Sequence, residues 1–216
     1  MVEIAKAANS SKTRGRPPGQ GSARMRENIL NASEDLFARQ GFAATSLREV
    51  ADVVGVNPAM VHYYFGNKES LLRQVMERTL EPLASALAEM QAAGQTRVED
   101  IVHLLLTALK QNPKMPPLMI REVMLPGGAM QEHFLNAMAP RLGGALPGIL
   151  ASEQGRGRMA TDLDPNISAL LLLATSIFPF IVRDVAEQAL GIAYDDEGLL
   201  KLEQHIGRVF ERGVSP

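Results

Sequence analysis

Thr45-Ser-Leu-Arg-Glu-Val-Ala-Asp-Val-Val-Gly-Val-Asn-Pro-Ala-Met-Val-His-Tyr-Tyr-Phe65 places two short helical patterns back to back. In the first, Leu47, Val50, Ala51 and Val54 recur at the spacing of one helix face, and Gly55 follows as a stop. Thr45 reads as the N-cap of this helix, which spans Ser46 to about Val54. Asn57 reads as the cap of the second, and Pro58 falls at the first helical position, where its missing N–H costs nothing. That helix runs only to about Phe65. Two short capped helices joined by a tight turn at glycine have the geometry of a helix-turn-helix. At about 100° per residue, Pro58, Val61 and Phe65 lie on one side of the second helix, leaving Ala59, Met60, His62 and Tyr63 on the other. A major groove admits such a small amphipathic face. The His62 imidazole can read a base edge, Ala59 and Met60 can meet thymine methyls, and tyrosine hydroxyls can reach phosphates. Lys68, at the start of the next helix, adds a charge beside backbone N–H groups suited to a phosphate.

Upstream, Met25, Ile29, Ala32 and Leu36 keep a helical period with Phe37 beside them, and Gly41 ends it. Residues 1–22 are rich in Ala, Ser, Gly, Pro, Lys and Arg with little to bury, the composition of a flexible arm. Downstream of Gly66-Asn67 a longer helix is expected from Lys68 or Glu69 to about Ala92, bent at Pro82 and linking two domains. The remainder has no convincing period-2 stretch and reads as helices near 96–111, 116–124, 129–154, 165–190 and 197–212. Gly143-Gly144 and Pro147-Gly148 inside 129–154 allow either a kink or two helices. The expected fold is all-α: an arm over 1–21, a three-helix helix-turn-helix domain over 22–68, and a larger helical domain over 69–216.

Composition narrows the class. With no cysteine among 216 residues, disulfides and thiolate metal sites are excluded. Met1 to Ser11 has no apolar run of signal-peptide type, which points to a cytoplasmic protein. Ile167 to Val182 is the most apolar stretch. It falls short of the roughly 18 to 20 residues that span a bilayer and carries Ser168, Thr175, Ser176 and Pro179, so it reads as a buried or interface helix. The net charge of −2 divides unevenly: residues 1–80 hold 11 Lys+Arg and 8 Asp+Glu, while 81–216 hold 11 and 16. The basic end is the candidate DNA end.

Phe37, Gly41-Phe42, Thr45, Glu49-Val50-Ala51, Gly55-Val56 and the run Val61-His-Tyr-Tyr-Phe-Gly-Asn-Lys-Glu-Ser-Leu-Leu72 resemble the DNA-binding domain of TetR-family (tetracycline-repressor-type) regulators. The resemblance implies a three-helix DNA-binding domain, a helical ligand-binding and dimerisation domain, and repression relieved by a small effector. By position, Thr45, Tyr63, Tyr64 and Lys68 resemble the family's phosphate contacts, and Asn57, Pro58, Ala59, Met60 and His62 occupy the base-facing segment. The sequence departs from the pattern at two positions. His62 stands where tyrosine is usual, and Gly66 stands where a proline or basic residue is common. The bland readings are that Tyr63 and His62 are surface residues, that Tyr64 belongs to the core, and that Thr45 and Asn57 are caps.

Thr13-Arg-Gly-Arg-Pro-Pro-Gly19 resembles the core of an AT-hook, which would set Arg14 and Arg16 in an A·T-rich minor groove; the alternative is a solubilising tail. At the other end, Asn166 to Leu190 is apolar nearly all round, and Leu199, Leu202, Ile206, Val209 and Phe210 follow at helical spacing. The resemblance implies that these helices pair with a second copy in a four-helix bundle, with Leu170, Ile177, Ile206, Val209 and Phe210 at the interface. Core helices of a monomer are the alternative. Met115, Met119, Met124, Met130, Phe134 and Met138 are polarisable side chains suited to an adaptable apolar pocket. Met115, Met119, Phe134 and Met138, closed by Phe178 with Phe180, form the expected effector site; plain core is the competing reading. His103, His133, Arg121 and Glu122 either orient a ligand or are satisfied hydrogen-bond partners. No metal or cofactor is expected, since His103 and His133 lack metal-ligand spacing. A Gly-rich phosphate loop and a nucleophile elbow are also absent, which leaves an enzyme little support. An architectural protein binding DNA nonspecifically, or an activator, are the remaining rivals.

Overall fold

The structure is a computed structural model that describes residues 20–214, and every regular element among them is helical. Arg14 and Arg16 therefore lie outside the described residues. α1 (Gln20–Ala44), α2 (Leu47–Val54), α3 (Pro58–Phe65) and the first half of α4 (Lys68–Ala93) enclose one apolar core. Ile29, Phe37, Val50, Ala51, Val61, Leu71, Leu72 and Val75 have no exposed surface there. α1 leaves helical geometry at Gly41, where φ is 84° and ψ 166°, a backbone state open only to glycine. A Cβ at this position would also come 2.9 Å from Cδ of Arg121.

The cap of α2 is Ser46 and not Thr45. Ser46 Oγ accepts from the Glu49 N–H while the Glu49 carboxylate accepts from the Ser46 N–H at 2.7 Å. This reciprocal box needs an acceptor-bearing side chain three residues after the cap. Counted from Ser46 that residue is Glu49, whereas counted from Thr45 it is Arg48. α3 and α4 begin on Asn57 and Asn67, whose side-chain oxygens accept from Ala59 and Ser70 N–H.

The second core gathers Leu87 of α4 with α5 (Val98–Gln111), α9 (Ala145–Gly155), α10 (Pro165–Ile181) and α12 (Asp196–Val214). Along α4 the first-core residues end at Leu80, Pro82 is exposed, and Leu87 opens the second core. Between the cores lie α6 (Met115–Met119), which winds on as a π-turn over Ile120–Met124, and α7 (Gln131–His133), which passes through a second π-turn over Phe134–Met138 into α8 (Ala139–Leu142). This middle segment packs upward: Met115, Leu118, Val123, Met130 and Met138 are buried in the first core.

The stretch 129–154 divides at Gly143-Gly144, where a Cβ on Gly144 would sit 2.1 Å from the Pro140 carbonyl oxygen. The single helix expected over 165–190 is in fact two. α10 and α11 (Arg183–Leu190) meet at 76°, with Val182 at φ −100°, ψ 22° between them. Pro179 supplies no N–H, which weakens the ladder one turn before the bend. Tyr194 then holds the bend by donating to the Pro179 carbonyl at 2.5 Å. Among the described residues no single helix is long and apolar enough to cross a membrane.

Candidate nucleic-acid interface

α3 presents two different sides. Val61 and Phe65 face inward, 0 % and 4 % exposed, while Ala59, Met60, His62 and Tyr63 face outward, Tyr63 at 84 %. Its register is held at both ends by the Asn57 cap and by the Gly66 N–H, which donates to the His62 carbonyl. Pro58 is half-buried at the first turn. Tyr64 is also half-buried and packs on the first core, with its hydroxyl donating to Ser22 Oγ at 3.1 Å. It ties α3 to the start of α1, and its ring lies edge-on to Tyr63.

Two of the residues expected at phosphates are turned inward. Thr45 is 2 % exposed and its hydroxyl donates to the Gly41 carbonyl at 2.8 Å. The Lys68 ammonium donates to the carbonyls of Phe42 and Thr45, each at 2.8 Å, and lies 4.3 Å from the centre of the Phe42 ring. Carbonyls at the end of a helix have no intrahelical donor, and a lysine rising from beneath supplies one. Arg48 was not picked out from the sequence. It is exposed on the first turn of α2 with no hydrogen bond or ion pair to any described residue. The signal for it was its place in a helix N-terminal turn opposite the buried Val50 and Ala51. Next to it the Glu49 carboxyl is held below its ordinary value, first by the Ser46 N–H and then by the Ser46 and Gln40 side chains.

The loop joining α1 to α2 is gripped from the other side as well. Glu122, 5 % exposed, accepts from the Phe42 N–H at 2.9 Å, so it is a satisfied partner. Gly128 allows this placement, because a Cβ there would come 2.4 Å from the Glu122 carbonyl oxygen. His133 pairs with Glu77 and His103 with Glu203.

Of the expected effector-site residues, Met115 and Met138 are buried in the first core, with Met119 and Phe134 half-buried against it. Phe178 is not brought to them. It is 59 % exposed on α10, in a stripe with Ile167, Leu170 and Leu171. A polar cleft of about 450 Å³ lies elsewhere, between α1, α4 and the end of α5, where Arg78 bridges Glu27 and Glu34. Of the expected interface residues, Leu170 and Val209 are exposed and Ile177 is half-buried. Ile206 and Phe210 are 8 % and 9 % exposed inside the protomer's own second core.

A short helix locked by a glycine turn onto a three-helix core, with its outer face free, defines a helix-turn-helix protein of the DNA-binding class. Residues 29–75 match the family model described as bacterial regulatory proteins, tetR family. The chain is 24 % identical to the HTH-type transcriptional repressor NicS of Pseudomonas putida over 74 % of this chain and 77 % of that protein. It is 25 % identical to the HTH-type transcriptional regulator RutR of Escherichia coli K12 over 95 % and 97 %. The crystal structure of the transcriptional regulator FadR from Bacillus subtilis in complex with stearoyl-CoA superposes with a TM-score of 0.67 at 16 % identity, covering 87 % of this chain and 98 % of that one. The chain is thus similar to the tetR family of bacterial regulatory proteins, with the family match lying in residues 29–75.

Proposed function

We propose that this protein is a ligand-responsive transcriptional repressor that binds a palindromic operator as a homodimer in the cytoplasm. The observation that carries the reading is the outward set Ala59, Met60, His62 and Tyr63 on a helix fixed from behind by Val61 and Phe65. In this reading Asn57 and Pro58 open the base-facing segment, Ala59, Met60 and His62 face base edges, and Tyr63 and Arg48 meet phosphates. Thr45, Tyr64 and Lys68 position the helix from within. The exposed stripe Ile167, Leu170, Leu171 and Phe178 supports a two-fold pairing through α10, since it would otherwise leave a contiguous apolar face wet.

The effector enters near Met119 and Phe134, beside the two π-turns, in a segment that shares its core with the DNA-reading helices. It releases DNA by favouring a different separation of the two reading heads. That FadR of Bacillus subtilis holds stearoyl-CoA supports a ligand with a long apolar chain for this fold.

Selection of bound DNA from a random pool by the full chain tests the proposal. The expected result is a palindrome with half-sites spaced by about 34–36 Å or a multiple of it. Leu170→Glu should give a monomer by sedimentation and lose that site. Recovery of DNA without a common sequence, or a native monomer that binds the site, overturns it.

A further inference from the structure

The two departures from the family pattern, His62 and Gly66, touch each other. His62 Nδ1 lies 2.7 Å from the Gly66 carbonyl oxygen. A carbonyl only accepts, so Nδ1 carries the hydrogen, and in the neutral ring Nε2 is left with a bare lone pair. Gly66 reaches this position through an unusual turn, with φ 76° and ψ −77° and the Asn67 N–H bonded to the Phe65 carbonyl at 3.0 Å. That is a γ-turn of the hand that L-residues avoid. A Cβ at Gly66 would meet nothing within 4 Å, so the backbone and not the available space requires glycine. The turn swings the carbonyl back along α3 onto the imidazole, while the Gly66 N–H holds the His62 carbonyl at 2.8 Å. One glycine thus fixes both the backbone and the ring of the residue on the outer face.

We propose that His62 and Gly66 form one reading unit, in which the Gly66 carbonyl sets His62 Nε2 as an obligate hydrogen-bond acceptor that selects cytosine or adenine by its exocyclic amine. The inference rests on α3 being the groove helix. In the major groove cytosine N4 and adenine N6 are donors, while guanine N7 and O6 and thymine O4 are acceptors that an acceptor cannot bond. A tyrosine hydroxyl at this position would both donate and accept, and would not discriminate in this way.

The test uses the full chain and the site it selects from random DNA. One base pair should become degenerate for His62→Ala alone, and the contacted base of that pair should be its cytosine or adenine. Replacing that base by its amine-free analogue, 2-pyrimidinone or purine, should weaken wild-type binding about five- to a hundredfold and leave His62→Ala unaffected. Nitrogen-15 spectra of the free protein in alkaline buffer should show His62 protonated at Nδ1. Gly66→Ala should abolish both that tautomer and the discrimination while nonspecific binding persists. An Nε2-protonated ring overturns the proposal. So does amine removal without effect on the wild type, which would make the contact a helix C-cap only. If a specific site is recovered but no position answers to His62, this inference alone fails; if no specific site is recovered, the functional reading fails with it.

Discussion

In the DNA-reading head, α2, α3 and α4 each begin on a side chain that accepts from the first turn: Ser46, Asn57 and Asn67. In the middle segment, α6, α7 and α8 begin without any side-chain cap, and residues 120–124 and 134–138 wind as π-turns. The two regions share one apolar core, so burial does not separate them. The difference lies in how tightly the backbone is specified. A capped helix has one register. A π-turn carries an extra residue in the turn and can give it up, which suits the effector site proposed for this segment.

The sharpest test of that contrast is a place where the head itself is strained. Gly41→Ala must hold a side chain at φ 84°, ψ 166° while displacing Arg121, and should lower stability by about 3 kcal/mol in denaturant unfolding. A loss under about 1 kcal/mol would mean that the α1–α2 loop relaxes freely, and the head would not be the rigid member of the pair. Glu122→Ala addresses the join. It leaves the Phe42 N–H without its partner and should cost about 2 kcal/mol, with hydrogen exchange rising at Phe42 and in the middle segment together. Exchange confined to the middle segment would show that the clamp does not couple the two. Asn57→Ala should cost about 1 kcal/mol and raise exchange only in the first turn of α3. A global rise would contradict the local character assigned to the caps.

What was legible in the sequence follows the same division. Gly41, Gly55, Asn57-Pro58 and the Leu47–Val54 stripe announce the head because each acts on its own neighbours. The outward set on α3 was legible for the same reason. The Thr45 cap was misplaced by one residue because both hydroxyls are competent, and only the partner three residues on decides. Lys68 illustrates the limit. Its charge is visible in the sequence, but its direction depends on the carbonyls of Phe42 and Thr45, which α4 meets only after folding. Ile206 and Phe210 share the helical period of Val209, yet α12 packs the first two into the second core against α5 and α10 and leaves Val209 open. The π-turns have no signature in residue type at all, and the bend at Val182 needed Pro179 to be read as a break inside a strongly apolar run.

The smallest effect should have the opposite sign. Ser176 Oγ on α10 is fully buried with no hydrogen-bond partner among the described residues, whereas its neighbour Thr175 donates to the carbonyls of Leu171 and Leu172 at 3.0 and 3.1 Å. An unpaired buried hydroxyl costs about 1–3 kcal/mol in lost hydration. Alanine removes that cost and is the better helix former, while giving up only the dispersion contacts of one oxygen. Ser176→Ala should therefore stabilise the protein by about 0.5 kcal/mol. Thr175→Ala, on the exposed side of the same turn, should change stability by less than that in either direction. Both variants are read by denaturant unfolding of the full chain at one fixed concentration, so that any subunit association enters equally. A loss of about 1 kcal/mol or more on Ser176→Ala would mean that the hydroxyl is bonded in solution.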